Sequence, residues 1–155
     1  MKHVWYWDSP IGTLGIAENG TGMTDLFLRG RIRTEGFREE KTPLIQDAVS
    51  QLREYFGGKR KAFNIPLSLS GTAFQLSDWK ALRTIPYGET RSYQQIAEQL
   101  GNPKACRAVG MVNNRNPVLI VVPCHRVIGK DGSLTGYGCG LEKKELLLEL
   151  ERRFR

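Results

Sequence analysis

A cysteine and a histidine lie side by side in the segment Pro123-Cys124-His125-Arg126-Val127, directly after an apolar run at residues 119–122. A short apolar run rich in β-branched residues predicts a buried strand, which the proline would end. A thiol at the end of a rigid element becomes a nucleophile when a neighbouring group takes its proton, and an imidazole can do so. The alternative is a buried, inert cysteine that happens to precede a histidine.

A glutamate near the end of the sequence is a candidate partner for His125. On a helix over residues 141–154, a step of about 100° per residue places Glu151 about 40° from Leu147, among apolar side chains. A buried carboxylate needs a hydrogen-bonding partner, and pairing with His125 would create a relay that draws the proton from Cys124, directly or through a water. This relay requires a Cys124 sulfur that is ionised near neutral pH. The alternative is a glutamate at a frayed helix end that turns out to solvent.

Two helices joined by a short turn are predicted between residues 92 and 115. Ser92-Tyr93-Gln94-Gln95 has the pattern of a capping box, and the helix that it opens ends at Gly101. Asn102-Pro103 suits the N-cap and first position of the second helix. The pair therefore predicts a helix-turn-helix.

The second of these helices separates small apolar side chains from cationic ones. The apolar stripe, with spacing i, i+3, i+4 and i+7, is expected against the core and contains Ala105, Ala108, Val109 and Val112. The opposite face suits contact with phosphates and contains Lys104, Arg107, Met111 and Arg115. The alternative is a surface helix with solvated charges, but its place in the helix pair favours contact with DNA.

The remaining sequence predicts the elements that position these residues. Its first part predicts a small antiparallel sheet and one helix, with strands at residues 4–8, 13–17, 23–28 and 63–69, a loop over 29–41 and a helix over 44–56. From residue 71 onward the pattern is mainly helical, and Thr72 can cap a helix over 73–85. We therefore expect an α+β fold: a small N-terminal α/β lobe at 1–70 and a mainly helical C-terminal lobe at 71–155.

Composition limits the classes of function. The 155 residues are 40% apolar, which suits one domain or two small lobes. A net charge of +7, from 23 basic and 16 acidic residues, favours a polyanionic partner, with nucleic acid ahead of a membrane surface. Charge that serves only solubility is the alternative. No apolar stretch approaches the ~20 residues of a membrane span or forms a signal-peptide core, which predicts a cytoplasmic protein without membrane contact.

The cysteines indicate neither disulfides nor a metal. Cys106, Cys124 and Cys139 make an odd number without a C-x-x-C pair, and His3 is the one other histidine. We therefore expect reduced thiols, no metal site and no cofactor.

The segment around Cys124, preceded by Asn116-Pro117, resembles the active-site signature of the O6-alkylguanine-DNA alkyltransferases, the methylated-DNA–protein-cysteine methyltransferases. The resemblance covers nearly the whole chain and is strongest from Phe74 onward. Its other matching segments are Asp8-Ser9-Pro10-Ile11-Gly12, Ile85-Pro86-Tyr87-Gly88-Glu89-Thr90, Ser92-Tyr93-Gln94-Gln95-Ile96-Ala97, Gly101-Asn102-Pro103-Lys104-Ala105, Arg107-Ala108-Val109-Gly110, Thr135-Gly136-Tyr137 and residues 141–151.

The resemblance implies a fold, an activity and a partner. Residues 1–70 would form a ribonuclease-H-like lobe, and residues 71–155 a DNA-binding and alkyl-acceptor domain with a winged-helix-like helix-turn-helix. The protein would act as a monomer on duplex DNA that contains O6-alkylguanine, with O4-alkylthymine as a further candidate. It would flip out the damaged nucleotide and transfer the alkyl group irreversibly to Cys124, once per molecule.

Matched positions imply individual roles. Cys124 would be the acceptor, with His125 and Glu151 as its relay; Tyr93 would donate a proton to the leaving guanine, and Asn116 would hydrogen-bond within the site. Arg107 would replace the extruded nucleotide in the base stack. The implied DNA contacts are Thr72, Tyr93, Lys104, Arg107, Met111 and Arg115, and the implied guanine pocket contains Val127, Tyr137, Gly138 and Cys139.

Two departures and two other functions accompany the resemblance. Cys139 stands where the family often has a second glycine, and it is expected to fill space; the alternative is that it narrows the site and tunes the tolerance of bulky alkyl groups. Leu146 replaces a common tryptophan, which is a packing change without an expected functional consequence. A non-catalytic module that recognises damaged DNA is one alternative, although its relatives lack the acceptor cysteine. A cysteine hydrolase is the other, and turnover beyond one equivalent would distinguish it.

Overall fold

The computed structural model describes all 155 residues, which divide into two compact units. The first contains residues 1–69 and 117–119, and the second contains 70–116 and 120–155. The strands are β1 (His3–Ser9), β2 (Gly12–Glu18), β3 (Met23–Leu28), β4 (Arg38–Glu39), β5 (Arg91–Ser92) and β6 (Val127–Ile128). The helices are α1 (Pro43–Phe56), α2 (Ala73–Leu82), α3 (Tyr93–Gln99), α4 (Cys106–Asn114) and α5 (Leu141–Arg153). The expected α+β class is confirmed, and no helix combines the length and the apolar character needed to cross a bilayer.

The sheet of the first unit has the strand order β3-β2-β1-β4. β1 and β2 form an antiparallel hairpin in which Ser9 pairs with Gly12, whose φ of 118° a side chain would disfavour. β4 runs parallel to β1 inside the stretch expected to be a loop, so the prediction of a loop across all of residues 29–41 is wrong. Only a strand of two residues forms there, because the surrounding sequence is charged.

Helix α1 packs its apolar face against β1 and β2. The Thr42 hydroxyl caps the helix by accepting a hydrogen bond from the Ile45 amide at 3.3 Å, and Gly57 follows its last residue. Its buried apolar residues are Ile45, Ala48, Val49, Leu52 and Tyr55. The predicted helix over residues 44–56 is confirmed to within one residue.

The strand expected at residues 63–69 is wrong. Leu67 forms a single bridge with Met23, and Met23 donates to the carbonyl of Pro66 at 2.8 Å. Proline has no amide proton and cannot extend a hydrogen-bonded ladder, so the pairing stops after this one bridge.

The strand expected at residues 119–122 is also wrong. Val118 bridges to Leu26, after which the chain turns, and Ile120 has a φ of 70°. That left-handed conformation is rare for a β-branched residue and ends any extended strand. The apolar run is buried as expected, but it is buried as a turn that leads into Cys124.

The helix cap predicted at Thr72 and the capping box predicted at Ser92 are confirmed, and Thr72 also takes part in a capping box. The Thr72 hydroxyl accepts from the Gln75 amide at 3.1 Å, and the Gln75 side chain accepts from the Thr72 amide at 2.9 Å. Ser92 and Gln95 make the same pair of bonds at the start of α3. α2 ends at Leu82, three residues earlier than expected, and α3 and α4 contact each other and α2.

Helix α4 begins later than the sequence indicated. The Ala105 amide donates to the Asn102 carbonyl at 3.0 Å, which closes a turn, and the helix starts at Cys106 without a side-chain cap. Asn102 is therefore not the N-cap, because Pro103 belongs to the turn between the helices. Ala108 is exposed and not part of the inward stripe, which instead contains Ala105, Val109, Val112 and Asn113.

Candidate active site

Cys124 begins a single 3-10 turn, Cys124–Arg126, and is buried, with 5% of the residue exposed. The side-chain amide of Asn116 donates to the Val122 carbonyl at 2.7 Å and to the Cys124 sulfur at 3.2 Å. The first bond fixes the amide and the second directs it at the sulfur. The Asn116 side chain is therefore placed to stabilise negative charge on that atom.

Burial controls the ionisation of this sulfur in the free protein. It raises the pKa of the Cys124 thiol to about 12, and the hydrogen bond from Asn116 and the charge of Lys144 oppose that rise only in part. Charges on Cys139 and Asp78 raise the pKa further. The expectation of an ionised sulfur near neutral pH is therefore wrong for the free protein, in which the thiol is protonated.

His125 and Glu151 meet in the interior of the second unit. His125 Nε2 lies 2.6 Å from Glu151 Oε2, and both side chains are buried, so the alternative of a solvated Glu151 is wrong. Burial lowers the pKa of His125 against the opposing influence of Glu151, which favours a neutral imidazole. A neutral ring with its proton on Nε2, donated to Glu151, leaves the buried Nδ1 as a proton acceptor, and Nδ1 has no other hydrogen-bonding partner in the protein.

Arg126 holds Glu151 in its charged form, and sequence reasoning missed it. Its guanidinium donates to both carboxylate oxygens, at 2.8 and 3.1 Å, and to the Ile85 carbonyl at 2.7 Å. Burial alone would raise the pKa of Glu151, but hydrogen bonds and charge from His125 and Arg126 hold it well below its usual range. The Gly88 amide also donates to Glu151 Oε1, at 3.1 Å. The sequence did contain a signal for this pair: an inward-facing glutamate needs a partner, and Arg126 directly follows the histidine already expected to meet it.

The helical spacing that places Glu151 near Leu147 also predicts Leu146, Leu148, Leu150 and Phe154 on the apolar face of α5. The observed buried face differs and brings a second unforeseen residue into the site. It contains Lys144, Leu147, Leu148 and Glu151, whereas Leu146 and Phe154 are 40% and 38% exposed. The Lys144 ammonium donates to the carbonyls of Val127 at 2.6 Å and Thr135 at 2.7 Å. Burial lowers its pKa to about 8. Its spacing of three, four and seven residues from the rest of the face could have shown that it points inward.

Tyr93 lies against the loop that Lys144 holds. Its hydroxyl donates to the Thr135 carbonyl at 2.9 Å, and its ring centre lies 5.9 Å from the Lys144 nitrogen. A side chain at Gly136, which has a φ of 56°, would come within 3.3 Å of the Tyr93 hydroxyl. Tyr93, Arg107, Met111 and Gly136 line one open cavity of about 490 Å³.

None of the four residues implied for the guanine pocket lines that cavity. Val127 and Tyr137 are buried, Cys139 is half-buried, and a side chain at Gly138 would contact the Asn114 carbonyl at 3.5 Å. Burial raises the pKa of Tyr137 well above its ordinary value, and charge on Cys124 or Cys139 raises it further. Lys144 connects Val127 to Thr135 and so joins these residues to the Tyr93 loop.

The outward face of α4 is exposed, as expected for a surface that meets a ligand. Met111 is 62% exposed, and Lys104, Arg107 and Arg115 are exposed beside it. No ion pair neutralises Arg107. Thr72, also implied as a DNA contact, is exposed but uses its hydroxyl as the N-cap of α2.

These features define the class of proteins that combine a basic helix-turn-helix with a buried cysteine and a histidine–carboxylate pair. Residues 73–153 match the family described as 6-O-methylguanine DNA methyltransferase, DNA binding domain, and residues 3–69 match the ribonuclease-like domain of the same description. The chain belongs to the methylated-DNA–protein-cysteine methyltransferase family.

Individual relatives agree over nearly the whole length. The methylated-DNA–protein-cysteine methyltransferase of Methanosarcina barkeri is 52% identical over 147 residues, covering 93% of each chain. The corresponding protein of Mycobacterium leprae is 52% identical over 155 residues, which cover 98% of this chain and 93% of the relative. The crystal structure of Mycobacterium tuberculosis OGT in complex with DNA superposes with a TM-score of 0.93 at 49% identity, covering 98% of this chain and 94% of the other.

Proposed function

We propose that this protein repairs alkylated duplex DNA by transferring the alkyl group from O6 of guanine to its own Cys124, irreversibly and once per molecule. The observation that carries the proposal is the position of Cys124, whose sulfur receives the Asn116 amide at 3.2 Å and which directly precedes the buried His125–Glu151 pair. A single nucleophile with its own proton relay suffices for alkyl transfer. Membership of the family supplies the substrate class.

The reaction begins with removal of the thiol proton. The proton passes from Cys124 to Nδ1 of His125, directly or through a water, and the ionised Glu151 stabilises the imidazolium that results. Because the thiol is protonated in the free protein, this transfer accompanies binding of the damaged base. The Asn116 amide stabilises the sulfur as it becomes negative.

Alkyl transfer then exchanges one bond for another. The sulfur attacks the alkyl carbon, a thioether forms, the bond from that carbon to O6 breaks, and its electron pair goes to the guanine. Tyr93 is assigned to protonate the leaving base, which lowers the barrier to its departure. The Thr135 carbonyl, which receives the Tyr93 hydroxyl in the free protein, orients this group beside the open cavity.

Access to the base requires extrusion of the nucleotide, because the alkyl carbon in a duplex cannot reach a protein thiol. The exposed cations of α4 support binding to the phosphate backbone. Arg107 lines the cavity together with Tyr93 and is assigned to occupy the space that the nucleotide leaves. Lys104, Met111, Arg115 and Thr72 are assigned to the surrounding DNA surface, and Val127, Tyr137, Gly138 and Cys139 to the guanine pocket.

The proposal also assigns a role to each lobe, an oligomeric state and a cellular location. Residues 71–155 are assigned DNA binding and alkyl acceptance, and residues 1–70 form a separate ribonuclease-H-like lobe. The protein is proposed to act as a cytoplasmic monomer. O4-alkylthymine is a second candidate substrate.

Intact mass spectrometry tests this function. Incubation with an excess of duplex containing one O6-methylguanine should add a single methyl group to the protein, mapped to Cys124, while an unmodified duplex adds none. Product beyond one equivalent would indicate a hydrolase. Tight binding without an adduct would indicate a damage-recognition module.

A further inference from the structure

Asp78 is a fully buried carboxylate that the proposed mechanism does not use. It lies on α2 beside Trp79, with 0% of the residue exposed, and no ion pair joins it to a cation. Burial raises the pKa of Asp78 to about 7, and any hydrogen bond donated to the carboxylate opposes that rise. An acidic group at such a position is costly unless its hydrogen bonds are satisfied, so its partner indicates its role.

The partner of Asp78 is Asn113 on α4. With its side-chain amide in the orientation that satisfies both neighbours, Asn113 Nδ2 donates to Asp78 Oδ2 at 2.6 Å and to the Val109 carbonyl at 3.1 Å. Asn113 is itself buried. The carboxylate therefore holds a side chain in the last turn of the helix that carries the cationic face.

That last turn leads directly to the acceptor sulfur. The backbone amide of Asn116 donates to the backbone carbonyl of Asn113 at 3.1 Å, and the side-chain amide of Asn116 donates to the Cys124 sulfur at 3.2 Å. Asp78, Asn113, Asn116 and Cys124 thus form one continuous hydrogen-bonded series. Displacement of Asn113 would move the backbone from which Asn116 reaches the sulfur.

Asp78 also acts on Cys124 through its charge. Helix α2 packs against α3, α4 and the 3-10 turn. The titratable and charged side chains of those elements are Tyr93 and Glu98 on α3, Cys106 and Arg107 on α4, and Cys124, His125 and Arg126 in the turn. Burial is the largest cause of the raised pKa of Cys124, and the charge of Asp78 adds a smaller rise.

We propose that Asp78 is a positioning residue for the acceptor cysteine, because it fixes the Asn113–Asn116 turn that directs an amide at the Cys124 sulfur. When it is ionised, its charge also opposes the formation of a thiolate at Cys124. The inference deepens the proposed function, since it concerns the nucleophile of the same site. It can be tested without DNA, so its failure is distinguishable from failure of alkyl transfer.

Two substitutions separate the charge from the hydrogen bond. Asp78→Asn removes the charge but keeps an oxygen that can accept from Asn113. Asp78→Val removes both and places an apolar side chain on a buried helical face. Asp78→Leu replaces the valine variant if that protein does not fold, as judged by circular dichroism.

The readout is the rate at which iodoacetamide alkylates Cys124 between pH 5.5 and 8.5, followed by peptide mass mapping, with Cys106 as internal reference. Below the pKa of a thiol, this rate is proportional to the thiolate fraction. In the wild type, ionisation of Asp78 should make the rate rise by less than tenfold per pH unit around pH 7. The ratio of the D78N rate to the wild-type rate should therefore grow from near one at pH 5.5 to roughly threefold or more at pH 8.5.

The comparison of D78V with D78N, which both lack the charge, tests whether residue 78 positions Asn113. D78V should react more slowly than D78N at pH 8.5, because it cannot hold Asn113. Glu145→Gln, which removes one exposed charge from α5, should give a pH-independent ratio near one. A D78N ratio that does not change with pH overturns the proposal, and so does a valine or leucine variant that reacts as fast as D78N.

Discussion

Arg126 and Glu151, 25 residues apart in the sequence, meet through two hydrogen bonds, from Nε to Oε1 at 2.8 Å and from Nη2 to Oε2 at 3.1 Å. This buried pair keeps the carboxylate charged while its Oε2 also faces His125 Nε2. The histidine is thereby held with its proton directed at Glu151. The buried Arg126–Glu151 ion pair thus determines which nitrogen of His125 carries the proton in the relay that serves Cys124.

Replacement of this carboxylate tests the pair. Glu151→Gln should lower the free energy of unfolding by about 3 kcal/mol, because it leaves the buried Arg126 without its counter-charge. Alkyl transfer should slow by about 10²-fold or more, because the imidazolium loses its stabilising charge. Urea unfolding and single-turnover transfer measure the two effects.

Helix α5 also carries a control for Glu151→Gln, and the stability that Glu151 contributes should depend on pH. Glu149→Gln removes an exposed carboxylate that pairs only with Arg152 and should change the stability by about 0.5 kcal/mol or less. Because the pKa of Glu151 is lowered in the folded state, its contribution is present above the unfolded-state pKa and is lost as the pH falls towards the folded-state pKa. A stability difference between E151Q and wild type that does not shrink in acid would contradict this account.

Substitution of the acceptor separates chemistry from binding. Cys124→Ser should abolish the methyl adduct, because a serine hydroxyl is a far weaker nucleophile, and should leave the affinity for duplex within about twofold of wild type. Intact mass and fluorescence anisotropy measure the two properties. Parallel loss of both would show that the residue serves the fold rather than the reaction.

Removal of the exposed arginine tests nucleotide extrusion. Arg107→Ala should slow transfer from duplex DNA by roughly tenfold or more, and transfer from free O6-alkylguanine base by much less, because only the duplex must be opened. Arg83→Ala removes an exposed cation just after α2 and serves as the charge control. Equal slowing on both substrates would exclude the role of Arg107 in the base stack.

The buried lysine of α5 should contribute to both stability and transfer. Lys144→Met removes the ammonium that donates to the carbonyls of Val127 and Thr135, leaves Thr135 with the Tyr93 hydroxyl alone, and should destabilise the fold by about 2 kcal/mol. Transfer should also slow, since the Thr135 carbonyl orients Tyr93. Lys143→Met, which changes the adjacent residue of the same helix, is the matched control, and unchanged transfer in K144M would refute the link to Tyr93.

The pH dependence of stability provides a test of Asp78 that is independent of function. Its folded-state pKa is raised to about 7, so its contribution to stability is complete below the unfolded-state value and is lost as the pH rises through about 7. The melting temperature of D78N should therefore exceed that of wild type by a margin that grows from pH 4 to pH 8. A constant margin would mean that Asp78 is ionised throughout this range.

Local sequence signals were reliable wherever a few neighbouring residues decide the outcome. The cap at Thr72 and the capping box at Ser92 formed as expected, because their donors and acceptors lie within three residues of each other. The apolar runs correctly indicated burial. They did not indicate conformation at Leu67 or Ile120, where the absent amide of Pro66 and a left-handed turn prevent strand pairing.

The sequence by itself determined the acceptor motif, the pair of capped helices, the basic outer face of α4 and an inward-facing Glu151, because each is a matter of residue type and short-range spacing. The tertiary structure decided which polar groups could be buried together. Arg126 with Glu151, Lys144 with two carbonyls, and Asp78 with Asn113 are tolerated only because partners 9 to 35 residues away satisfy their hydrogen bonds. Those partners are brought within hydrogen-bonding distance by the packing of the helices, and no local pattern specifies that packing.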